Sequence, residues 1–284
     1  YPNIIGSDPS GKLGENNIFS VLDYSVEGGS KEESFEKFLS KKIETIDFSN
    51  KNKYMPFVVF KPSCFGRSLL FMKLSNGDVL LDKEKDEWEK VKNRFETVIS
   101  RAINSKIKIM VDAEESWTQK IIDYLMEHLM KKYNKKEVWV FTTLQMYRKD
   151  RLSYLEKLIR KCKKENFKLG IKLVRGAYLE AENLRAQKMN YTSPICVNKS
   201  ETDKSFDAAI SIILKNLKNI LLFTGTHNEK SINNIIYWMR QNKIPKNHPN
   251  IWFAQLFGMG DHITFNLAKR KFHAVKYIPF GPFQ

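Results

Sequence analysis

Two cations stand where a soluble chain has reason to avoid them. Leu169–Val174 is an apolar run of the kind that forms a buried strand, yet Lys172 lies inside it, and Arg175 follows at its end, directly before Gly176. An unpaired charge held away from water costs several kcal/mol, so such positions need a partner or a ligand. The place matters as well as the type, because ligands of α/β proteins bind where strands give way to loops. A structural alternative has Lys172 snorkelling past a sheet edge, with Arg175 in solvent.

Other polar residues fall at the ends of apolar runs in the same way: Asp23, Lys61, Asp112, Gln145, Thr226 with His227, Gln255 and Tyr277. Several have structural explanations. Asp112 with Glu115, and Thr226 with Glu229, match the spacing of a capping box, in which the first residue caps a helix and the glutamate reaches back. Gln145 is equally suited to bonding the backbone around it. Their recurrence at equivalent positions favours a ligand site over a set of unrelated caps.

The elements that would carry them are short apolar runs at 19–24, 57–60, 107–111, 138–142, 169–174, 220–223, 251–254 and 274–278. Amphipathic stretches with helical spacing separate most of them, at 88–103, 121–130, 152–162, 205–217 and 231–239. Strand followed by helix, repeated without an internal sequence repeat, implies a parallel sheet. Eight repeats predict a closed α/β fold, the (β/α)8 TIM-like barrel, with every strand's carboxyl end on one rim. An open doubly wound sheet is the competing arrangement, but no Gly-x-Gly-x-x-Gly turn follows any strand. Between the second and third strands, Asn76-Gly77 separates apolar runs at 68–74 and 79–81, which predicts a small hairpin. Residues 1–16, rich in Gly, Pro, Ser and Asn, read as a flexible leader to a barrel domain spanning 17–284.

The 284 residues carry 48 Lys and Arg against 32 Asp and Glu, a net charge of +16. That balance favours anionic partners, although many of the lysines lie along amphipathic segments and read as solvated helix faces. Cys64, Cys162 and Cys196 are too few and too scattered for a disulfide framework or a zinc site, and no metal site is expected. No apolar run reaches the roughly 18 residues of a membrane span. No RNA-recognition signature is present, so nucleic acid is not an expected partner. A basic binding module without chemistry explains the charge, but leaves the polar residues at the strand ends unexplained.

Seven blocks, in order, resemble the proline dehydrogenase family: Val21-Leu22-Asp23-Tyr24 with Val26-Glu27; Val111-Asp112-Ala113-Glu114-Glu115; Gln145-Met146-Tyr147 with Lys149-Asp150; Lys172-Leu173-Val174-Arg175-Gly176-Ala177-Tyr178-Leu179 with Glu182, Arg185 and Ala186; Thr226-His227-Asn228-Glu229-Lys230-Ser231; Gln255-Leu256-Phe257-Gly258-Met259-Gly260-Asp261; and Lys276-Tyr277-Ile278-Pro279-Phe280-Gly281-Pro282. The wording is similar to the single-function mitochondrial members. The resemblance implies a barrel that holds FAD non-covalently and oxidises proline to Δ1-pyrroline-5-carboxylate, passing electrons to a quinone. It places Lys172 near the flavin N5–O4 edge. Gln145, Arg175, Gly176, Ala177, Tyr178, Thr226, His227, Asn228 and Gln255 become cofactor contacts. Lys61, Asp112 and Tyr277 become the catalytic and substrate-shaping group, with Lys61 and Asp112 as a charge pair. A mitochondrial setting on the matrix side of the inner membrane is implied too, with the basic surface suited to an anionic membrane face; no targeting peptide is in view.

The chain departs from the family pattern in three places. The family holds the substrate carboxylate with adjacent arginines on a helix after the Pro-x-Gly-Pro block, whereas this chain ends at Gln284. The expectation is therefore a barrel without that final helix and with a weak grip on proline. Pro62 follows Lys61 where an apolar residue is expected, and Gly28-Gly29 replaces an acidic pair. A homologue that binds FAD with altered turnover, for instance toward hydroxyproline, is the alternative within the family.

Overall fold

A computed structural model of the protein describes residues 9–24, 29 and 31–281. The eight expected strands are present: β1 (Ile18–Tyr24), β2 (Phe57–Phe60), β3 (Lys108–Val111), β4 (Val140–Gln145), β5 (Leu169–Val174), β6 (Ile220–Gly225), β7 (Ile251–Leu256) and β8 (Ala274–Phe280). They pair in parallel and in sequence order, and β1 closes on β8, giving the (β/α)8 barrel. Near-continuous apolar runs suit such strands because both faces are covered, the outer by helices and the inner by the barrel's own filling.

Two apolar bodies result. One lies between the strands and the surrounding helices and includes Val58, Phe60, Val91, Phe95, Ile171 and Phe206. The other fills the lumen with Val21, Phe57, Val59, Met110, Phe141, Phe223 and Trp252. The outer layer comprises α2 (Glu32–Ser49), α4 (Asp82–Asn104), α5 (Ser116–Tyr133), α6 (Arg151–Lys164), α8 (Lys199–Leu214), α9 (Glu229–Gln241) and α10 (Asp261–Lys269), joined by the shorter α3 (Ser68–Asn76) and α7 (Leu179–Lys188).

The structure corrects the sequence in several places. The stretch around Asn76-Gly77 is no hairpin: residues 68–76 form helix α3, and Gly77 is its cap, at φ +84°. A glycine in that left-handed conformation ends a helix as readily as it turns a hairpin, so the dipeptide alone does not distinguish them. Within the expected leader, Pro9–Glu15 form a helical turn (α1) packed on β1 with Leu13 buried. Residues 1–8 of that leader lie outside the described residues, as do Val26, Glu27, Gly28 and Pro282. Helix α5 is capped at Glu115 and α9 at Asn228, whose side chain accepts the Ser231 N–H at 3.1 Å. Neither Asp112 nor Thr226 is therefore the cap that the spacing allowed.

Candidate active site

Parallel strands pointing the same way deliver their last side chains to one rim. Val111 pairs with Thr142, and Thr143 pairs with Lys172. Asp112, one residue beyond Val111, therefore stands level with Thr143 and Lys172. The three meet at the centre of the rim. Lys172 Nζ donates to Asp112 Oδ1 at 2.6 Å and to the Tyr277 hydroxyl at 3.0 Å, and that hydroxyl donates to Asp112 Oδ2 at 3.0 Å. Thr143 adds a bond to the Val111 carbonyl and a longer one, 3.3 Å, to Asp112. The Lys172 ammonium also lies over the Tyr277 ring, 4.2 Å from its centroid. The buried cation of the strand is thus paired inside the lumen and does not snorkel.

The carboxylate that holds Lys172 is Asp112, whereas the sequence paired Asp112 with Lys61. Lys61 directly follows β2 and lines the same cavity. A second layer of charge surrounds them. Asp23 is driven above the ordinary carboxylate range by burial first and by Asp112 second, against the pull of Lys42, Lys172 and Lys61. Lys42 reaches in from α2 to donate to the Val59 carbonyl, and burial lowers its pKa against the opposing pull of Asp23. Burial, followed by Asp112, raises Tyr277 well above a normal phenol, so Tyr277 stays protonated and able to donate.

Beside this cluster lies a cradle built around Arg175. Its Nε donates to Asp203 at 2.6 Å, Nη1 to Thr226 Oγ1 at 2.7 Å and Nη2 to Ser231 Oγ at 3.1 Å, while the guanidinium rests on the Phe206 ring. Three donors of a five-donor fork are used, and the fork is fixed in direction. Thr226 Oγ1 also accepts the Asn228 N–H, shaping the start of α9. Gly176 turns at φ +142°, where an added Cβ would stand 2.4 Å from the Tyr147 ring, so the turn after Arg175 requires glycine. Gln145 clamps this turn by accepting the Ala177 N–H at 3.2 Å while donating to the Glu114 carbonyl at 2.7 Å.

All thirteen residues singled out in the sequence as catalytic or cofactor-binding line one cavity of about 670 Å3. Their side chains differ in how they are used. Gln255 is buried, and both ends of its amide are spent internally, donating to the Thr226 carbonyl and accepting from Thr264. His227 accepts the Leu256 N–H at 3.4 Å, and burial followed by the nearby Lys276 lowers its pKa. Sequence reasoning missed Thr143, Asp203 and Lys199, which bond to or line the site; Lys199 follows Asn198, the residue that caps α8. The Lys199–Asp203 spacing of a helical ion pair was the available signal, and it is indistinguishable from an ordinary surface pair.

The fit to a flavin dinucleotide rests on this geometry. The cavity has the volume of a small-molecule site and largely apolar walls with a few polar groups. A fixed guanidinium and the start of the 13-residue helix α9 suit an anionic pyrophosphate, and a cation on the floor suits an electron-rich ring.

A closed barrel with a cationic crevice on its carboxyl rim is the framework of a (β/α)8 enzyme. The proline dehydrogenase family profile matches residues 9–284, and the chain belongs to that family. Among curated proteins it is 34% identical over 270 residues to the carbapenem antibiotics biosynthesis protein CarD of Pectobacterium carotovorum subsp. carotovorum, covering 95% of this chain and 69% of that one. It is 31% identical to the mitochondrial proline dehydrogenase 1 of Dictyostelium discoideum, covering 95% of this chain and 55% of the relative. Proline utilization A from Bdellovibrio bacteriovorus superposes with a TM-score of 0.85 at 18% identity, over 96% of this chain and 29% of the larger protein, a likeness of fold. The chain thus spans about half the length of the Dictyostelium relative and less of the solved structure.

Proposed function

We propose that the protein oxidises L-proline to Δ1-pyrroline-5-carboxylate with FAD held in the rim cavity. The observation that carries this reading is the closed Asp112–Lys172–Tyr277 triangle on the cavity floor, next to the fixed Arg175 fork. When bound, the flavin supplies the hydride acceptor. The chain's own residues bind and orient. Arg175, with the backbone donors at the start of α9, would hold the pyrophosphate, and Gln145 keeps the Gly176-Ala177 turn in place. Lys172 brings positive charge to the floor, its direction set by Asp112 and Tyr277. Lys61 approaches from the opposite strand end and offers a cation to the substrate carboxylate. Tyr277 remains a phenol and gives the pyrrolidine ring a flat wall. Burial of this group excludes water from the reacting face and strengthens each electrostatic contact.

The reading extends to a quinone as electron acceptor. The mitochondrial names of several relatives support a mitochondrial setting, and the excess of positive charge suits an anionic membrane face. The test is direct. Protein incubated with FAD and desalted should keep a flavin spectrum, and anaerobic proline should bleach it. Loss of all flavin on desalting overturns the cofactor assignment; retained flavin that hydroxyproline bleaches and proline does not would change the substrate.

A further inference from the structure

The Asp112–Glu115 stretch carries a carboxylate that the site above leaves unused. Glu114 is 8% exposed and does not line the cavity. Its carboxylate accepts both donors of Ser63, the backbone N–H at 2.9 Å and the hydroxyl at 2.6 Å. Ser63 sits in the 3-10 turn Pro62–Cys64, whose first bond runs from the Cys64 N–H to the Lys61 carbonyl at 3.0 Å. The turn that follows Lys61 is therefore anchored at its middle residue by a side chain from the next strand end. The main chain of Glu114 serves a different part of the site, since its carbonyl accepts from Gln145, which holds Ala177.

We propose that Glu114 is a positioning residue: through Ser63 it fixes the turn that aims Lys61 into the cavity, and so sets affinity for the carboxylate of an amino-acid substrate without affecting cofactor retention. The inference rests on the proposed function. The division of labour follows from atoms. A change confined to the side chain removes the link to Ser63 and leaves the carbonyl's bond to Gln145 in place. Pro62, out of keeping with the family pattern, fits the same design, because its locked φ stiffens the turn that Glu114 holds.

The group also carries a proton signature. Burial pushes Glu114 up to about 7, opposed by the two Ser63 bonds; Glu115 raises it further, Lys61 lowers it, and Cys64 is the titratable group on the turn itself. The anion that accepts both donors of Ser63 is thus half formed near pH 7, fills in above it and is lost below it.

The experiment compares wild type, Glu114→Gln and Ser63→Ala, each loaded with FAD. For Glu114→Gln the KM for proline should rise about tenfold, equivalent to one charged hydrogen bond, with kcat and flavin retention changing little. Ser63→Ala, which keeps the backbone donor, should raise KM by a smaller factor. The wild-type KM should worsen as pH falls through 7, and Glu114→Gln should lose that inflection. A second readout needs no substrate: the buried Cys64 thiol should react faster with a thiol reagent in Glu114→Gln, while buried Cys162 stays slow. Unchanged KM, inflection and Cys64 reactivity in Glu114→Gln would overturn the proposal, as would equal losses in kcat and flavin retention. Wild-type protein that holds flavin but ignores proline would sink the functional reading instead, leaving Cys64 reactivity to decide for or against Glu114.

Discussion

The lumen of the barrel has two ends made by the same alternation and opposite in character. Along β4, Phe141 points into the base, and Thr143 and Gln145, two and four residues on, point into the rim. Strand β2 runs Phe57, Val59, Lys61 in the same way, and β3 runs Met110, Asp112. At the base, Phe57 meets Phe141, Phe223 and Trp252 edge to face with centroids 5.8, 5.2 and 4.9 Å apart. At the rim the same stagger delivers Lys172, Asp112 and Tyr277. Phe223 belongs to both, meeting Phe57 edge to face below and lining the cavity above. A floor of buried, close-packed rings lowers the local dielectric beneath the charged layer and so strengthens its contacts.

If that division holds, base and rim should fail in different ways. The largest effect is expected at the base: Phe57→Ala should cost about 3–5 kcal/mol in denaturant unfolding. Folded Phe57→Ala protein should retain flavin; a loss below about 1 kcal/mol would mean the floor is not close-packed. At the rim, Lys172→Met should lower the rate of flavin reduction by proline about 100- to 1000-fold, as removing a preorganised charge does elsewhere. Stopped-flow absorbance measures this, and a loss under tenfold removes Lys172 from the chemistry. Arg175→Lys keeps the charge but not the fork, so flavin affinity should weaken about tenfold in fluorescence titration, with the melting temperature little changed. Asp112→Asn keeps the size of the side chain and removes its charge. It should slow flavin reduction and also lower the melting temperature, because it leaves the buried Lys172 ammonium without its carboxylate; an unchanged rate would make Asp112 a structural residue.

The smallest effect sharpens the contrast through pH. Glu114 is pushed up to about 7 in the fold from an ordinary value of 4.5, so between those values the folded chain keeps a proton that the unfolded chain has released. Its contribution to stability is complete below pH 4.5 and is lost as pH rises to about 7. Asp23, also raised, acts in the same direction. Melting curves of Glu114→Gln should depend less on pH across this window than those of wild type; parallel curves would rule out that linkage.

The strands were legible because buried parallel strands are written as short apolar runs, and the rim was legible because polar residues interrupt those runs at their carboxyl ends. Partnership was not legible. Asp112 holds Lys172, two strands away, because the register of β3, β4 and β5 places them level, and no local pattern states a register across three strands. Helix α2 was missed although Phe35, Phe38, Leu39 and Ile46 pack inward, since Lys, Glu and Ser between them dilute the stripe. Helix α10 has only nine residues, too short for its spacing to stand out. Asn76-Gly77 misled because a left-handed residue serves helix ends and hairpins alike.

The seam between β1 and β8 pairs seven residues, from Ile18 with Ala274 to Tyr24 with Phe280. In chain order β1 is the first strand of the barrel and β8 the last, so β1 gains its second neighbour only once the seven other strands have been made. Without β8 the wall of the lumen has a gap between β7 and β1. Tyr277, the third member of the triangle, arrives with the closing strand. The site is therefore completed by the same event that seals the barrel, and an unclosed chain carries no finished rim.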